Sequence, residues 1–443
     1  MTTLKVGSIE HPDGGSNTVN FGGTAGIQIP SGTTAQRPSS PSAGYSRYNT
    51  TLGSVEFYNG STWVSTNFGP EITAISGTIY EGTAGTITVS TTYATDTIDV
   101  IFKEGATTLA TVEDVAVTGG SASVTVPSAV YNQTAGDTIS VSFENSDGTV
   151  SGNSLDITIS ALPSGGTITT SGDYRIHTFT TSEDFVVPSG ITLTNVDFLV
   201  VAGGASGGLN LGGGGGAGGL RSSLSNTGGG GSVETAISSL SAGTYTVTVG
   251  GGGAATTTSG TGNSGGNSIF STITSTGGGR GGWYGTSGTS GASGGSGGGG
   301  GVAENGTPGS GGSGTSGQGY AGGAAGNRGG GGDYPGAGGG GGAGAAGANY
   351  SGINGGAGGA GITNSISGSS VSYGGGGGGC GYTIGSSAGS GGSGGGGQGE
   401  TRNVLQAGDG SVNTGGGGGG GGNTSGPGSG QGGSGVVIVR YQL

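Results

Sequence analysis

The second half of the chain is built mainly from glycine, and this feature limits its fold more than any other. Of 124 glycines, 24 precede Ala202, which leaves 100 among the last 242 residues. Glycine has no side chain to bury and loses more backbone entropy on folding than other residues, so it cannot build an ordinary apolar core. Long runs alternate with short inserts rich in Ser, Asn, Ala and Tyr; the runs are Gly212–Gly216, Gly297–Gly301, Gly338–Gly342, Gly374–Gly379 and Gly415–Gly422.

Two structures are compatible with such a block, a flexible linker and an ordered glycine-rich domain. Composition alone favours the linker. However, disordered chains usually carry a high net charge and few aromatic residues, whereas this block has five acids, five arginines, a tryptophan and several tyrosines. It also ends in a β-branched run, Val436–Tyr441, which predicts a buried strand, and Val196–Val201 is its best-matching partner. These features favour an ordered domain.

Polyproline II helices offer an ordered structure that glycine suits. Such a helix has about three residues per turn, a rise of about 3.1 Å per residue and no internal hydrogen bonds. Its backbone groups must therefore bond to neighbours, and close approach on all sides requires positions without Cβ. We predict that the glycine runs pack as polyproline II rods in a slab, with the inserts as turns at its ends. There is no sustained Gly-X-Y register for collagen, and no nine-residue period for calcium-binding repeats.

Charge and cysteine content exclude several classes of function. The net charge of -13 lies entirely before Ala202, where 18 acids face five basic residues. Such an acidic chain is a poor ligand for nucleic acid or an anionic membrane. The single cysteine, Cys380, excludes an intrachain disulfide and is expected to be a small buried residue. We see neither a signal peptide nor a stretch of transmembrane length.

Residues 1–68 contain short strand patterns separated by Gly and Pro. A Pro-rich lead-in, Pro30–Pro38, precedes expected strands at Tyr45–Asn49 and Val55–Tyr58, and an Asn-Gly turn leads to a third strand. A meander this small buries too little surface to be stable alone and should associate, most simply as a homotrimer.

The order Gly-Thr-Thr-Ala-Gln-Arg-Pro, Arg-Tyr-Asn-Thr and Phe-Tyr-Asn-Gly-Ser-Thr-Trp in this segment resembles a module of tail-fibre and appendage proteins of tailed bacteriophages. The resemblance covers about forty residues. It implies that the module attaches the chain to other virion structural proteins.

Residues 69–164 show about seven evenly spaced strand patterns separated by Gly, Asn and Asp turns. That spacing is typical of an immunoglobulin-like sandwich, here without the cysteine pair of antibody domains. We interpret this segment as a spacer. The whole chain is therefore expected to be all-β plus polyproline II: a β-meander, a sandwich and a glycine-rich domain closed by strands.

Residues 165–443 form the third expected domain. Its motifs include His-Thr-Phe, Phe-Leu-Val-Val-Ala-Gly-Gly, Gly-Thr-Tyr-Thr-Val-Thr-Val-Gly and Gly-Val-Val-Ile-Val-Arg-Tyr, in that order. They resemble the glycine-rich domain at the carboxyl end of many phage fibre proteins. More loosely, the segment is similar to the adhesins on the long tail fibres of T-even-like phages, whose inter-rod loops contact the host receptor.

Enzyme motifs are absent, and we expect neither an enzyme nor a cofactor. His11 and His177 are too isolated for a zinc site or a catalytic triad, and no Gly-Lys-Ser/Thr follows a glycine run. Aromatic and charged residues on the inserts are the better candidates, either as a receptor surface for a glycan or an outer-membrane protein or as caps that shield the rods from water. These candidates are Arg280, Trp283, Tyr284, Tyr320, Arg328, Asp333, Tyr334, Tyr350, Tyr382 and Arg402.

The sequence thus predicts a non-enzymatic virion fibre whose amino-terminal module attaches and whose glycine-rich end binds a host receptor. A structural capsid or decoration fibre without a dedicated receptor remains the alternative, and an ice-binding protein is a distant third.

Overall fold

The computed structural model describes residues 29–51, 54–66, 71–92, 95–145, 153–329, 332, 334–401, 406–422 and 428–442. The chain divides into two compact units, Met1–Ile159 and Ser160–Leu443. Both the expected meander and the expected sandwich fall in the first unit. Within the described ranges, no helix has the length and apolarity required to cross a membrane.

The first unit begins with a four-stranded sheet in the order β1-β2-β3-β4. As expected, the Asn-Gly turn joins its last two strands: the Asn59 side-chain oxygen accepts hydrogen bonds from the amides of Ser61 and Thr62, both 2.9 Å long. A 3-10 helix, Thr34–Gln36, precedes β2. The strands are β1 (Ser31–Gly32), β2 (Ser46–Asn49), β3 (Ser54–Tyr58) and β4 (Trp63–Thr66).

One buried carboxylate, Glu56 on β3, connects the separate motifs of this sheet. Arg37 from the lead-in bonds to Glu56 at 2.6 Å, and the Asn49 side chain donates to the same oxygen at 2.9 Å. Arg47 lies 3.4 Å from the other oxygen and donates to two lead-in carbonyls. Burial alone would raise the pKa of Glu56, but these hydrogen bonds and the two guanidinium charges outweigh it and hold the pKa below its usual value.

The rest of the first unit is the sandwich, and all seven expected strands are present. Its strands follow the order β11-β10-β7-β8-β9-β6-β5. Only two residue pairs join β8 to β9, so the ladder folds there into two layers around Val89, Phe102 and Phe143. A short helix, α1 (Ser128–Tyr131), follows β9. The strands are β5 (Ile72–Ser76), β6 (Thr86–Thr91), β7 (Thr95–Glu104), β8 (Thr107–Thr118), β9 (Ser121–Thr125), β10 (Thr138–Asn145) and β11 (Leu155–Thr158).

The second unit contains a sheet in the order β12-β13-β21-β14-β16-β17-β18, with β15 paired to β14. A separate hairpin is formed by β19 and β20. The strands are β12 (Thr167–Ser171), β13 (Tyr174–Phe179), β14 (Glu183–Val201), β15 (Leu220–Ser222), β16 (Ile237–Thr248), β17 (Ser268–Phe270), β18 (Ile273–Ser275), β19 (Ile362–Asn364), β20 (Val371–Tyr373) and β21 (Val436–Gln442).

The predicted partnership of the two apolar runs is confirmed, because β14 pairs with β21 from Asp197↔Arg440 to Val201↔Val436. Strands β13 and β14 are consecutive in the chain but do not pair as a hairpin. Strand β21 lies between them and pairs with both. In this central position β21 buries apolar side chains on both of its faces, which an edge position would do less completely.

The glycine runs pack as parallel and antiparallel rods around a central rod, residues 211–220. Successive amides of the central rod donate to three different neighbours, and the order repeats every three residues. This period is that of a polyproline II helix. Gly213, Gly214 and Gly215 donate to carbonyls of Gly282, Gly338 and Gly418, and the next three amides donate to Gly279, Gly341 and Gly415 on the same rods, all at 2.8–3.0 Å.

Carbonyls of the central rod accept bonds from three further rods, so six neighbours surround it. The result is a hexagonal bundle, rather than the slab that the sequence suggested, because each turn of a rod directs donors and acceptors in all lateral directions. We call it the glycine bundle. The six neighbours are residues 202–209, 277–282, 295–303, 336–343, 373–381 and 415–422.

Position in the bundle explains which rods are pure glycine. Each of the five long glycine runs lies in a rod that hydrogen-bonds to six others, so every residue faces a neighbouring backbone. A Cβ on Gly214, for example, would lie 2.1 Å from the Gly377 carbonyl oxygen. Peripheral rods instead expose every third residue, which is where side chains occur; examples are Ser287, Ser290 and Ser293, and Ser387, Ser390 and Ser393.

His177 on β13 is a buried part of the sheet. Its Nδ1 lies 2.7 Å from the Gly165 carbonyl oxygen, which can only accept, so Nδ1 carries the proton and Nε2 accepts from the Tyr441 hydroxyl at 3.0 Å. Burial lowers the pKa of His177 to about 4, an effect reinforced by the charge of Arg175 and opposed by the bond to Gly165.

The pKa of His177 predicts acid sensitivity of the second unit. The unfolded chain binds a proton near the ordinary pKa of 6.5 and the folded chain only near 4. Stability is therefore full above pH 6.5 and falls by about 3 kcal/mol as the pH drops to 4. A His177→Gln variant should unfold at a temperature that varies less over this range, as measured by calorimetry. An equally steep profile in the variant would contradict the assignment.

Candidate functional site

The two ends of the central rod lie in different surroundings. Leu220 at one end begins β15 and packs with Leu199, Ile438 and their neighbours in the sheet. We call this the sheet end. Leu211, at the other end, packs with Val302 and Cys380. We call this end the tip. Ten residues at the polyproline II rise separate the two by about 30 Å.

Rod-to-rod turns gather at the tip. The amide of Tyr284 bonds to the Asn210 carbonyl, and bridges join Gly285 to Ala303 and Ala303 to Asn327. The Gly381 amide likewise bonds to Glu400. The rods thus end at the same level, and the turns that connect them form one surface. The turns that the structure describes in full are residues 255–259, 283–287, 304–308, 349–354 and 382–386.

Three tyrosines from different turns form a continuous stack at the tip. Tyr334 lies between Tyr284 and Tyr382, with ring centroids 5.9 Å apart in both pairs and the rings inclined at 66° and 89°. All three pack on Leu211, Val302 and Cys380, together with Ala325 and Ala337. Edge-to-face rings of this kind cover apolar rod ends, so the stack excludes water from them.

An ion pair closes over the stack. The Arg328 guanidinium lies 4.1 Å from the centre of the Tyr334 ring and donates to its hydroxyl at 2.9 Å. Arg328 also bonds to Glu304 at 3.1 Å, and Glu304 accepts the hydroxyl of Tyr284. Burial, and then the bond to Glu304, raise the pKa of the Tyr284 hydroxyl. These four side chains therefore interact mainly with one another; they are Tyr284, Glu304, Arg328 and Tyr334.

Cys380 is one of the buried residues on which the three stacked tyrosines pack. It is buried, and burial together with the negative charge of Glu400 raises the pKa of its thiol. The Glu400 carboxylate accepts the Gly422 amide at 2.6 Å. A neutral buried thiol is a poor nucleophile, so Cys380 acts as a small apolar residue, as expected.

The structure places six of the ten candidates at the tip: Trp283, Tyr284, Arg328, Tyr334, Tyr350 and Tyr382. Tyr350 joins the stacked residues at the tip, where it lies beside Pro335, close to Gly326, and is 38% exposed. Trp283 directly precedes Tyr284 and is half-buried. Arg280 is exposed on the side of its rod, about 12 Å before Tyr284 at the polyproline II rise.

Tyr320 lies away from the tip. Its amide donates to the Gly342 carbonyl, which places it at the sheet end of the glycine bundle. Asp333 and Arg402 lie outside the described residues.

Sequence reasoning missed two residues of the tip. Glu304 was not chosen, although it is one of only five acids in the glycine block and could have been matched to an arginine. Ile384 was also missed. It is 86% exposed on a turn that Tyr334 and Thr383 fix through reciprocal hydrogen bonds of 2.9 and 2.8 Å. An isolated isoleucine among Ser, Thr and Gly was its only signal.

No group of three or more potential metal ligands is found among the described residues. Residues 178–442 match the model of a family described as a glycine-rich domain. The chain belongs to this glycine-rich domain family. The match covers 265 of 443 residues and includes the glycine bundle, the tip and most of the sheet. No curated protein matches the chain.

The glycine-rich domain begins, in the family match, at Thr178 on β13 and ends on β21. The two strands are neighbours in the sheet. The domain's entry and exit therefore lie at the sheet end, which leaves the tip as the end remote from its chain connections.

Proposed function

We propose that this chain is a non-enzymatic fibre protein of a tailed phage, located in the virion, whose tip binds a host surface receptor. The observation that carries the proposal is the collection of turns at the end of the glycine bundle remote from the chain's entry. Loops held on a rigid scaffold are the usual place for recognition. A bundle whose amides are bonded to neighbouring rods supplies such a scaffold.

The resemblance of the amino-terminal module supports attachment to other virion structural proteins, as a homotrimer. The receptor is a cell-surface glycan or an outer-membrane protein, and nucleic acid has no part in the function. The second candidate, a capsid or decoration fibre without its own receptor, is favoured by the extent to which Tyr284, Tyr334 and Arg328 bind one another rather than facing outwards.

The residues best placed for a receptor are those that the stack leaves exposed. Tyr350 and Ile384 are 38% and 86% exposed. Their turns adjoin, because the Ser387 amide donates to the Asn354 side chain at 2.7 Å. An exposed tyrosine and an exposed aliphatic residue on adjoining, anchored turns suit a contact that buries apolar surface at a low entropic cost.

Adsorption measurements test this proposal. The Tyr350→Ser/Ile384→Ser variant should bind host cells at least about tenfold more weakly than the unchanged chain, since truncating an interface anchor costs on the order of 1–2 kcal/mol or more. It should also fail to compete with intact particles for adsorption. Both side chains are exposed, so its unfolding temperature should not change.

Val412→Ser is the matched control. Val412 is 71% exposed but lies near the sheet end, close to Gly415, which bonds to Gly218 of the central rod. The Val412→Ser variant should adsorb as well as the unchanged chain. Equal adsorption of the tip variant and the control would remove these turns from the receptor site. If the unchanged chain does not bind cells to which particles adsorb, the decoration fibre becomes the better interpretation.

A further inference from the structure

The β1–β4 sheet buries charged and amide side chains on one side and leaves apolar side chains partly exposed on the other. On β2, Arg47 and Asn49 are 4% and 0% exposed, whereas Tyr48 between them is 39% exposed. On β3, Glu56 is fully buried and Val55 is 37% exposed. Within residues 29–51 and 54–66 no apolar side chain is fully buried, and the buried core starts at Ile72. A sheet of this size needs an apolar face covered by a second layer.

The strand register shows which side chains share the exposed side. Tyr48 lies opposite Val55, and Phe57 lies opposite Val64. Val55 and Phe57 are two residues apart on one strand and point the same way. We call Tyr48, Val55, Phe57 and Val64 the apolar face. Of the eight large apolar side chains that are exposed within the described ranges, two belong to this face.

Charge distribution favours a second copy of this chain as the layer that covers it. Within residues 29–51 and 54–66 the charged residues Arg37, Arg47 and Glu56 converge on the opposite side of the sheet. The apolar face carries no charge, whereas the whole chain carries -13. Copies of such a chain repel each other except through an uncharged surface, and a basic partner would find no acid on this face.

We propose that copies of this chain associate through the apolar face of β2, β3 and β4. The inference identifies the contact surface for the homotrimer of the proposed function, and it rests on that function only for the number three. Each copy then packs its apolar face against the exposed apolar faces of the others. The buried Glu56 cluster then holds the lead-in segment against the outer side of each sheet.

Light scattering on the full chain tests the inference through molar mass. The unchanged chain should have the mass of three chains, and the Tyr48→Ser/Val55→Thr variant should have the mass of one at the same concentration. Both residues are exposed, and threonine suits a strand, so the fold should be retained. If the double variant does not fold, Val55→Thr alone should show a weaker trimer. Ile168→Thr, an apolar residue of similar exposure (37%) in the other unit, is the control and should remain trimeric.

A single-chain mass for the unchanged protein would overturn the inference, as would a double variant that stays associated. A two-chain mass abolished by the variant would support the apolar face but contradict the trimer. None of these outcomes bears on receptor binding by the tip, which the adsorption experiment tests separately.

Discussion

Replacing Gly214 with alanine is expected to prevent the glycine bundle from forming. The added Cβ would lie 2.1 Å from the Gly377 carbonyl oxygen and 2.5 Å from its carbon. Both are backbone atoms, which no side-chain rotation can move. The two rods would have to separate, and their hydrogen bonds to other rods would be lost with them. We expect a loss above about 4 kcal/mol, among the largest for a single substitution.

The measurement is the unfolding temperature of the second unit by calorimetry, with soluble yield as a second readout. Gly251→Ala is the matched control, because a Cβ there meets no atom within 4 Å and the residue is exposed. It should change stability by no more than about 0.5–1 kcal/mol. Similar unfolding temperatures for the two variants would show that the rods are not closely packed.

Replacing Glu56 with alanine should open the amino-terminal sheet. It removes the partner of Arg47, which is 4% exposed, and of Arg37. Removing one partner of a buried ion pair costs about 3–5 kcal/mol. That loss raises the population of the open sheet by roughly 100-fold or more, since each tenfold change corresponds to about 1.4 kcal/mol.

Trypsin cleavage after Arg47 measures this opening, because the bond after Arg37 precedes proline and resists the enzyme. The Glu56→Ala variant should be cut there much faster than the unchanged chain, with Glu56→Gln intermediate because it keeps a hydrogen-bonding group. Exposed Glu71, changed to alanine, is the control and should leave the rate unaltered. Cleavage at equal rates in the Glu56 and Glu71 variants would show that the carboxylate does not hold the sheet closed.

Much of the fold was predictable because local patterns determine it. The all-β class, the seven sandwich strands and the pairing of the two valine-rich runs all follow from periodicity and turn residues. The position of β21 between β13 and β14 did not follow, because several apolar strands can satisfy each other in more than one order. The role of Glu56 was also missed, since one acid in a strand resembles an ordinary solvent-facing residue.

The candidate site was only partly predictable because rods alternate in direction. Tyr320 and Tyr334 both stand beside glycine runs, yet they lie at opposite ends of the glycine bundle. Which end an insert reaches depends on the direction of its rod, and that direction depends on every turn before it. The local sequence around an aromatic residue does not show how many turns precede it, and therefore does not show the direction of its rod.

Rod 202–209 bonds to residues near 430 and 433, and rod 415–422 is one of the six neighbours of the central rod. The interior of the domain is therefore completed by its last-made segments. During synthesis, more than two hundred residues of polar, glycine-rich chain are made before the segments to which they hydrogen-bond. Because this stretch is rich in glycine and serine, it exposes little apolar surface for aggregation while those segments are being made. A composition that cannot form an apolar core thus also limits aggregation before the bundle is complete.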